Sequence, residues 1–322
     1  MWKTRVTEMM GIEYPIIEGA FGGFGTSALA AAVSEAGALG MITAHVLRTP
    51  EGLREGIRRL KSETAKPFGV NISVGYCPDV DEMVDVIIQE NVPVVETSVY
   101  RGDVYGKKLQ AAGIKWIHKV ATVRHAMSVA AQGADAVVIV GLEGTGFKSP
   151  EQLPTLITIP WAVKQIEIPV IAAGGIGDSH SFMAALALGA EAVYLGTAFM
   201  ATSECPISDR YKQKLVDYAP SDPEIRNRVL APPNAGEYEK VMREKGEISD
   251  KEWFLKLENV AANIPAGESV SEESLDESEG ALKIAPGSLA VASIDKVVTV
   301  KELIENIIRG AEAIRQRWSI QQ

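Results

Sequence analysis

Residues 170–202 read VIAAGGIGDSHSFMAALALGAEAVYLGTAFMAT, and two glycine-bearing turns in this stretch lie about twenty residues apart. The first turn begins at Gly174 after a short apolar run, and the second begins at Gly196 after another. Between the two turns, SHSFMAALALG has the composition of a helix. A strand, a turn and a helix that lead into a further strand are typical of a βαβ unit in a parallel sheet.

The same alternation of short apolar runs and helical patterns extends from Tyr14 to about Thr202, in about eight strand–helix steps. One of these helices, TPEGLREGIRRLKSET, is expected to begin with Thr49 as its N-cap and Pro50 as its first residue. No GxGxxG follows the first strand, which disfavours an open dinucleotide-binding sheet. The repeats therefore predict an α/β fold, a (β/α)8 TIM barrel with a mainly helical C-terminal lobe.

The pattern changes near residue 205, which suggests a division of the chain. We expect residues 1–205 to form the barrel and residues 206–285, which include an acidic Ser/Glu/Asp-rich stretch, to form an inserted and partly flexible lid. Residues 286–322 contain a strongly amphipathic segment. We expect this segment to return as a C-terminal helix that packs on the barrel.

Composition sets the class of partner that the protein is expected to have. The formal net charge is −10, whereas nucleic-acid binding requires clustered positive charge. The N-terminus lacks the apolar core of a signal peptide, and no apolar run is long enough to span a bilayer. The two cysteines are too few for a disulfide framework, and no Cys/His cluster predicts a metal site. We therefore expect a cytoplasmic protein with no membrane, metal or nucleic-acid partner.

The two glycine turns predict an anion site. In a TIM barrel, the loops after the seventh and eighth strands often bind phosphate, and glycine lets the backbone approach the anion closely. This interpretation assigns one phosphate to Gly174, Gly175 and Gly177 together with Gly196 and Thr197. The alternative is that these glycines only end strands in a tightly packed barrel.

Three other strand ends narrow the choice of ligand. The first strand leads into the glycine-rich IIEGAFGGFG, and Asn71 and Lys119 lie in the apolar strands FGVN and IHKVAT. A buried lysine requires an anionic partner, although a lysine can also reach solvent from a strand end. A flat glycine backbone, an amide, a cation and a phosphate site together suit FMN, with Lys119 at the N1–C2 edge of the reduced flavin.

Motifs over about residues 8–205 support the interpretation that the chain binds FMN. YPIIEGAFGG, FGVNIS, IPVIAAGGIGD and AVYLGTAFMATSEC resemble the nitronate monooxygenase (2-nitropropane dioxygenase-like) family of FMN-dependent TIM-barrel oxidoreductases. The resemblance implies redox chemistry at the flavin and an FMN site. The implied FMN-binding residues are Gly19, Ala20, Phe21, Gly22, Asn71, Lys119, Glu143, Gly144, Thr145, Gly146, Ala173, Gly174, Gly175, Gly177, Gly196 and Thr197.

One position departs from the family pattern. Many members have a histidine at the end of the loop that reads GLEGTGFKSP here, and this chain has Phe147 at that position. Because that histidine usually handles the proton of the substrate, its replacement leaves two flavin chemistries open. One is nitronate-type oxidation, and the other is NAD(P)H-dependent reduction or dehydrogenation of a quinone or an acyl (CoA or ACP) thioester. The candidate catalytic residues are Lys119, His45 after the second strand, and Phe147 itself.

Several further questions stay open at this point. If Lys119 faces into the barrel, its neighbour His118 must face outward. Glu18 replaces a usually neutral residue and either tunes the flavin or meets solvent.

Two classes of protein are alternatives to a flavin enzyme. One is a phosphate-ligand barrel enzyme without flavin, and the other is a barrel that only binds a partner. Exposed apolar residues in the C-terminal region would favour a homodimer.

Overall fold

The structure of the protein is a computed structural model. It describes residues 2–19, 24–77, 79–145, 151–232, 235–249, 252–253, 256–257, 260 and 287–318. Among the sequence-predicted site residues, five lie outside this part of the chain, namely Ala20, Phe21, Gly22, Gly146 and Phe147.

Eight parallel strands form the centre of the molecule. In chain order they are β1 (Ile16–Glu18), β2 (Gly40–Thr43), β3 (Phe68–Ser73), β4 (Val94–Ser98), β5 (Lys115–Val120), β6 (Ala136–Val140), β7 (Val170–Ala173) and β8 (Ala192–Leu195). They pair in the order β1-β8-β7-β6-β5-β4-β3-β2, and a parallel bridge between Ile17 and Leu39 joins the first strand to the second. The sheet therefore closes on itself, and the predicted TIM barrel is confirmed.

Helices surround this barrel. They are α1 (Arg5–Met10), α2 (Ser27–Glu35), α3 (Pro50–Glu63), α4 (Val80–Gln89), α5 (Asp103–Ala111), α6 (Val123–Ala131), α7 (Thr155–Gln165), α8 (Ser179–Ala187), α9 (Thr197–Met200), α10 (Asp209–Asp217), α11 (Pro223–Leu230), α12 (Ala235–Arg243) and α13 (Val300–Trp318). The expected start of α3 is confirmed, because the Thr49 side chain accepts from the N–H of Gly52 and Pro50 is the first helical residue. Helix α13 packs against α8 and α2, and it thereby fills the outer position that follows β8.

The region after β8 packs on the barrel through α10 and α11. Tyr211, Leu215, Ile225 and Val229 belong to the same buried apolar cluster as residues of the barrel strands and of α13. The predicted boundaries at residues 205 and 285 stay a prediction, and much of the acidic stretch lies outside the described residues. Within the described part of the chain, no helix combines the length and apolar character needed to cross a bilayer.

Strand alternation sorts the side chains into an inner and an outer set. Ile17, Met41, Val94 and Ile117 belong to the apolar cluster inside the barrel, while residues such as Trp116 pack outward against the helices. The inner set becomes polar towards the carboxyl ends of β3, β4 and β5, where Asn71, Glu96 and Lys119 follow the same alternation. Barrel interiors are usually filled by branched apolar side chains, so this polar layer indicates a functional end of the barrel.

Gly40 permits β2 to lie directly against α2. A Cβ atom at this position would lie 1.9 Å from the carbonyl oxygen of Ala30, which is a backbone atom that cannot rotate away. We expect Gly40→Ala to lower the free energy of unfolding by about 2 to 3 kcal/mol, because strand and helix must move apart. Urea denaturation measures this. Gly196→Ala is the control, since the nearest described atom to a Cβ at Gly196 would be 3.8 Å away. Equal urea midpoints for the two variants would contradict the close packing of β2 on α2.

Candidate active site

A cleft opens at the carboxyl ends of β1 and β5–β8. Its lining includes many sequence-predicted residues, which are Gly19, Lys119, Gly144, Thr145, Ala173, Gly174, Gly175, Gly196 and Thr197. It also includes residues that the sequence interpretation did not select, which are Phe24, Val140, Ile176, Tyr194, Met200 and Ser288. The structure thus brings both glycine turns and the lysine to one cavity.

The backbone of the first glycine turn requires glycine. Gly174 and Gly175 have φ angles of +104° and +72°, which residues other than glycine rarely adopt. A Cβ on Gly174 would lie 3.0 Å from the carbonyl oxygen of Gly141 and 3.1 Å from the nitrogen of Gly144. The loops after β6 and β7 therefore meet backbone to backbone at the edge of the cleft.

Three backbone N–H groups at the cleft are available to an anion. Within the described part of the chain, the N–H groups of Gly175, Ile176 and Gly196 donate no hydrogen bond. Ile176 is buried, and a buried N–H group without an acceptor is unfavourable unless a ligand or water accepts from it. Convergent N–H groups on glycine-rich turns are a common way to bind phosphate.

The second glycine turn is tied to a distant segment. The Thr197 and Ser288 hydroxyl oxygens lie 2.9 Å apart, and the Ser288 N–H donates to the Thr197 hydroxyl at 3.0 Å. Next to Ser288, the N–H of Leu289 donates to the carbonyl of Glu143 at 3.0 Å. Residues 288–289 therefore close one side of the cleft, and no local sequence pattern pointed to them.

Two predicted FMN-binding residues have other partners. The Glu143 carboxylate accepts from the N–H and the hydroxyl of Thr155, at 2.9 and 2.8 Å, and so holds its loop to the start of α7. The N–H of Gly177 donates to the Ser181 hydroxyl at 3.1 Å. Neither of them lines the cleft, and neither does Asn71, so the contact of these three residues with a cofactor stays a prediction.

A polar cluster lies at the floor of the cleft, inside the barrel. The Lys119 ammonium is 3.3 Å from Oε1 of Glu96, donates to the Tyr194 hydroxyl at 3.5 Å and lies 5.1 Å from the centre of the Tyr194 ring. The Asn71 amide donates to Oε1 of Glu96 at 2.6 Å and accepts from the Ser73 hydroxyl at 3.3 Å. Lys119 therefore has the anionic partner that its burial required, and this partner is a protein carboxylate.

Glu96 and Tyr194 were missed by the sequence interpretation. Glu96 lies in VPVVETSV, an acidic residue within an apolar strand, which is the same signal that identified Lys119. Tyr194 is buried, and burial, with a smaller effect of the nearby Glu96 carboxylate, raises its pKa well above the usual range. Tyr194 is therefore a neutral phenol at physiological pH.

The Glu18 side chain does not meet solvent. It is fully buried, and strand alternation places it on the opposite face of β1 from Gly19, which lines the cleft. Its Oε2 accepts from the N–H of Met41 at 2.9 Å, at the junction of β1 and β2. Burial raises the pKa of this carboxyl well above its usual value, and the Met41 hydrogen bond offsets only part of that shift.

None of the four histidines, all of which are described, lines the cleft. His45 is half-buried after β2, and burial together with the charge of Lys119 lowers its pKa to about 4. His118 faces outward, as expected from the inward direction of Lys119, with its Nδ1 2.6 Å from the Thr97 hydroxyl. His125 lies in α6 and His180 is exposed in the first turn of α8. His45 is nevertheless close enough to the cleft for the charge of Lys119, which lines it, to act on its pKa.

The outward position of His118 predicts a pH effect on stability. Burial, with smaller effects of His125 and Lys119, lowers its pKa to about 4. The unfolded chain, with the ordinary pKa of 6.5, then binds more protons than the folded chain between pH 6.5 and 4. Its contribution is thus present above pH 6.5 and lost as the pH falls towards 4.

We expect this contribution of about 3 kcal/mol to be missing in His118→Gln, so that the variant loses less stability between pH 6.5 and 4 than the wild type does, while the separate contribution of His45 remains. Urea denaturation at a series of pH values measures it. His180→Gln, at an exposed position, is the control and should retain the wild-type slope. A wild-type slope in His118→Gln would show that His118 does not cause the effect.

Comparisons with known proteins show the family to which the chain belongs. A family model described as nitronate monooxygenase matches residues 3–83 and 76–310. The structure of FabK from Thermotoga maritima superposes with a TM-score of 0.77 at 32% identity, and the match covers 98% of each chain. A probable nitronate monooxygenase of Staphylococcus aureus is 30% identical over 82% of this chain and 89% of its own length.

Two further relatives share one name, (3aS,4S,5R,7aS)-5-hydroxy-7a-methyl-1-oxo-octahydro-1H-indene-4-carboxyl-CoA dehydrogenase. The protein of Mycobacterium tuberculosis is 30% identical over 96% of both chains. That of Rhodococcus jostii is 33% identical, over 72% of this chain and 65% of its own length. From the match to the family model along nearly its whole length, this chain belongs to the nitronate monooxygenase family of flavin-dependent oxidoreductases.

Proposed function

We propose that the protein binds FMN in the cleft and uses it for a redox reaction on an acyl thioester. The observation that carries the proposal is that one cavity contains both backbone N–H groups without an acceptor among the described residues, at the Gly174–Gly175 and Gly196 turns, and a nearly buried cation, Lys119. FMN has a phosphate at one end and a ring that becomes negatively charged on reduction at the other. Bound FMN would supply two-electron transfer at this site.

The donor set of the cleft fits this cofactor. The N–H groups of Gly175, Ile176 and Gly196 would hold the phosphate, and the open space at Gly196 leaves room for it. Lys119 would place its ammonium beside the N1–C2 edge of the ring. Following the family resemblance, the segment from Gly19 to Gly22 would lie along the flavin, and Gly144–Gly146 would cover it.

The substrate class rests on the relatives and on the positions of the histidines. Two relatives at 30% and 33% identity are named as dehydrogenases of a carboxyl-CoA compound. A histidine at the position of Phe147 is usual for nitronate chemistry in the family, and no histidine of this chain lines the cleft. We therefore place an acyl thioester first.

Nitronate oxidation is the second candidate. It is favoured by the family model and by the Staphylococcus aureus relative. NADH or NADPH is the proposed electron donor if the protein works as a reductase. The expected cytoplasmic location and the lack of a nucleic-acid partner stay predictions.

A homodimer remains part of the proposal. In the described part of the chain, exposed large apolar side chains lie on α7, at Leu156, Ile157, Trp161 and Val163, and in the C-terminal region, at Met242, Val297 and Trp318. Contiguous exposed apolar patches mark surfaces that bind another protein. Light scattering of the purified protein tests this, and a monomeric mass would contradict it.

The first test is the visible absorption spectrum of the purified protein with and without added FMN. We expect a flavin spectrum, and we then expect anaerobic addition of NADH, NADPH or a saturated acyl-CoA to bleach it. Bleaching by an alkyl nitronate alone would select the second candidate. A protein that fails to take up FMN at all would overturn the flavin proposal and favour a phosphate-ligand enzyme without flavin.

A further inference from the structure

The Glu96 carboxylate lies directly beneath the cleft, and none of the sequence motifs assigns it a role. Its side chain is completely buried inside the barrel. Oε1 is in contact with Lys119 at 3.3 Å and with the Asn71 amide at 2.6 Å, while Oε2 has no hydrogen-bond partner among the described residues. An ionised carboxylate in such a position is unfavourable unless a cation compensates for it, so Glu96 and Lys119 depend on each other.

This pair determines the charge of the cleft. Among the described residues that line the cleft, Lys119 is the only one with a charged side chain. Only 11% of that side chain is exposed. Tyr194 is next to both members of the pair and stays neutral, because its pKa is raised well above the usual range. The floor of the cleft therefore has a net charge near zero, in place of the positive charge that Lys119 alone would give.

We propose that Glu96 is a positioning residue that fixes Lys119 beneath the flavin and offsets its charge, which keeps the reduction potential of the flavin low. The proposal rests on FMN binding in the cleft, as proposed above. A cation near N1 favours the reduced flavin, which is negatively charged there, over the neutral oxidised ring. A carboxylate 3.3 Å from that cation opposes the preference, since its field has the opposite sign.

The test is the two-electron midpoint potential of FMN bound to Glu96→Gln, measured by equilibration with a reference dye. Glutamine retains the hydrogen bond to Asn71 but removes the negative charge. We expect the reduced flavin to gain about tenfold in affinity relative to the oxidised flavin, which corresponds to a potential about 30 mV more positive. Glu96→Asp retains the charge, and its potential should be closer to the wild-type value than that of Glu96→Gln.

Asp135→Asn is the matched control. Asp135 pairs with Lys115 at 3.4 Å, so it is also a carboxylate that binds a lysine of β5, but at the opposite end of the strand. We expect this variant to have the wild-type potential. A purely structural role of Glu96 would lower the stability of Glu96→Gln without changing the potential of its bound flavin.

A wild-type or more negative potential in Glu96→Gln overturns the proposal. If that variant does not retain FMN, Lys119→Met decides the matter, because loss of the cation should move the potential in the negative direction while Glu96→Asp stays near the wild-type value. A wild-type potential in Lys119→Met would also overturn the proposal. Failure of the wild-type protein to bind FMN is a different result, which removes the proposed function itself.

Discussion

Lys119→Met is expected to lower the free energy of unfolding of the flavin-free protein by about 3 kcal/mol. The substitution removes one member of a buried pair and leaves the Glu96 carboxylate without its cation inside the barrel. Urea denaturation at neutral pH measures this loss. In the flavin-loaded protein, the same substitution should slow reduction of the flavin, because the cation that favours the reduced ring is absent.

A double variant separates the lost charge pair from lost packing. We expect Glu96→Gln combined with Lys119→Met to recover most of the stability, since neither buried charge then remains. Lys115→Met is the matched control on the same strand. Its side chain is 44% exposed and its pair with Asp135 is partly solvated, so we expect a loss of less than about 1 kcal/mol. Equal losses at both lysines, or no recovery in the double variant, would contradict a coupled pair.

The barrel could be predicted from the sequence because each repeat carries a local signal. Short apolar runs, glycine turns and caps such as Thr49 each act over a few residues, and their number alone indicated eight strands. The final helix α13 was also predictable, because its apolar side follows a helical period over Val300–Trp318. These features depend on neighbours in the chain, so the sequence contains them directly.

The pairing of Lys119 with Glu96 could not be predicted in the same way. Both faces of a barrel strand are buried, so the apolar run in β4 and in β5 does not show which side chains point inward. The choice becomes visible only when the strand register places Asn71 beside Glu96 and the Lys119 side chain reaches the same carboxylate. Glu96 therefore carried a signal, an acid within an apolar strand, but no indication of its partner.

The position of Ser288 at the cleft could not be predicted from the sequence either. It lies 91 residues after Thr197, yet the two hydroxyl oxygens are 2.9 Å apart at the edge of the cleft. No periodicity or motif joins the two positions. Only the tertiary fold, which returns the chain to the barrel before α13, brings them together.

Gly196→Asp should weaken FMN binding by about 100-fold and leave the fold intact. The backbone of Gly196 has a φ angle of −103°, which any residue can adopt. Among the described residues, the one atom within 4 Å of a Cβ at this position would be the Gly19 carbonyl oxygen, at 3.8 Å. The new carboxylate would lie among the N–H groups proposed to hold the phosphate. Repulsion between two negative charges a few ångströms apart at a partly solvated site is about 3 kcal/mol, which corresponds to this loss of affinity.

Riboflavin, which lacks the phosphate, makes the measurement specific. Fluorescence titration with FMN and with riboflavin should show a large loss for FMN and a change of less than about threefold for riboflavin, because only FMN meets the new charge. Gly196→Asn is the matched control, since it adds a side chain of the same shape without charge and should bind FMN far better than Gly196→Asp. If Gly196→Asp binds FMN as the wild type does, the phosphate does not lie at this turn. If the affinities for FMN and riboflavin fall equally, the glycines of this turn only end strands in a tightly packed barrel, which is the alternative interpretation.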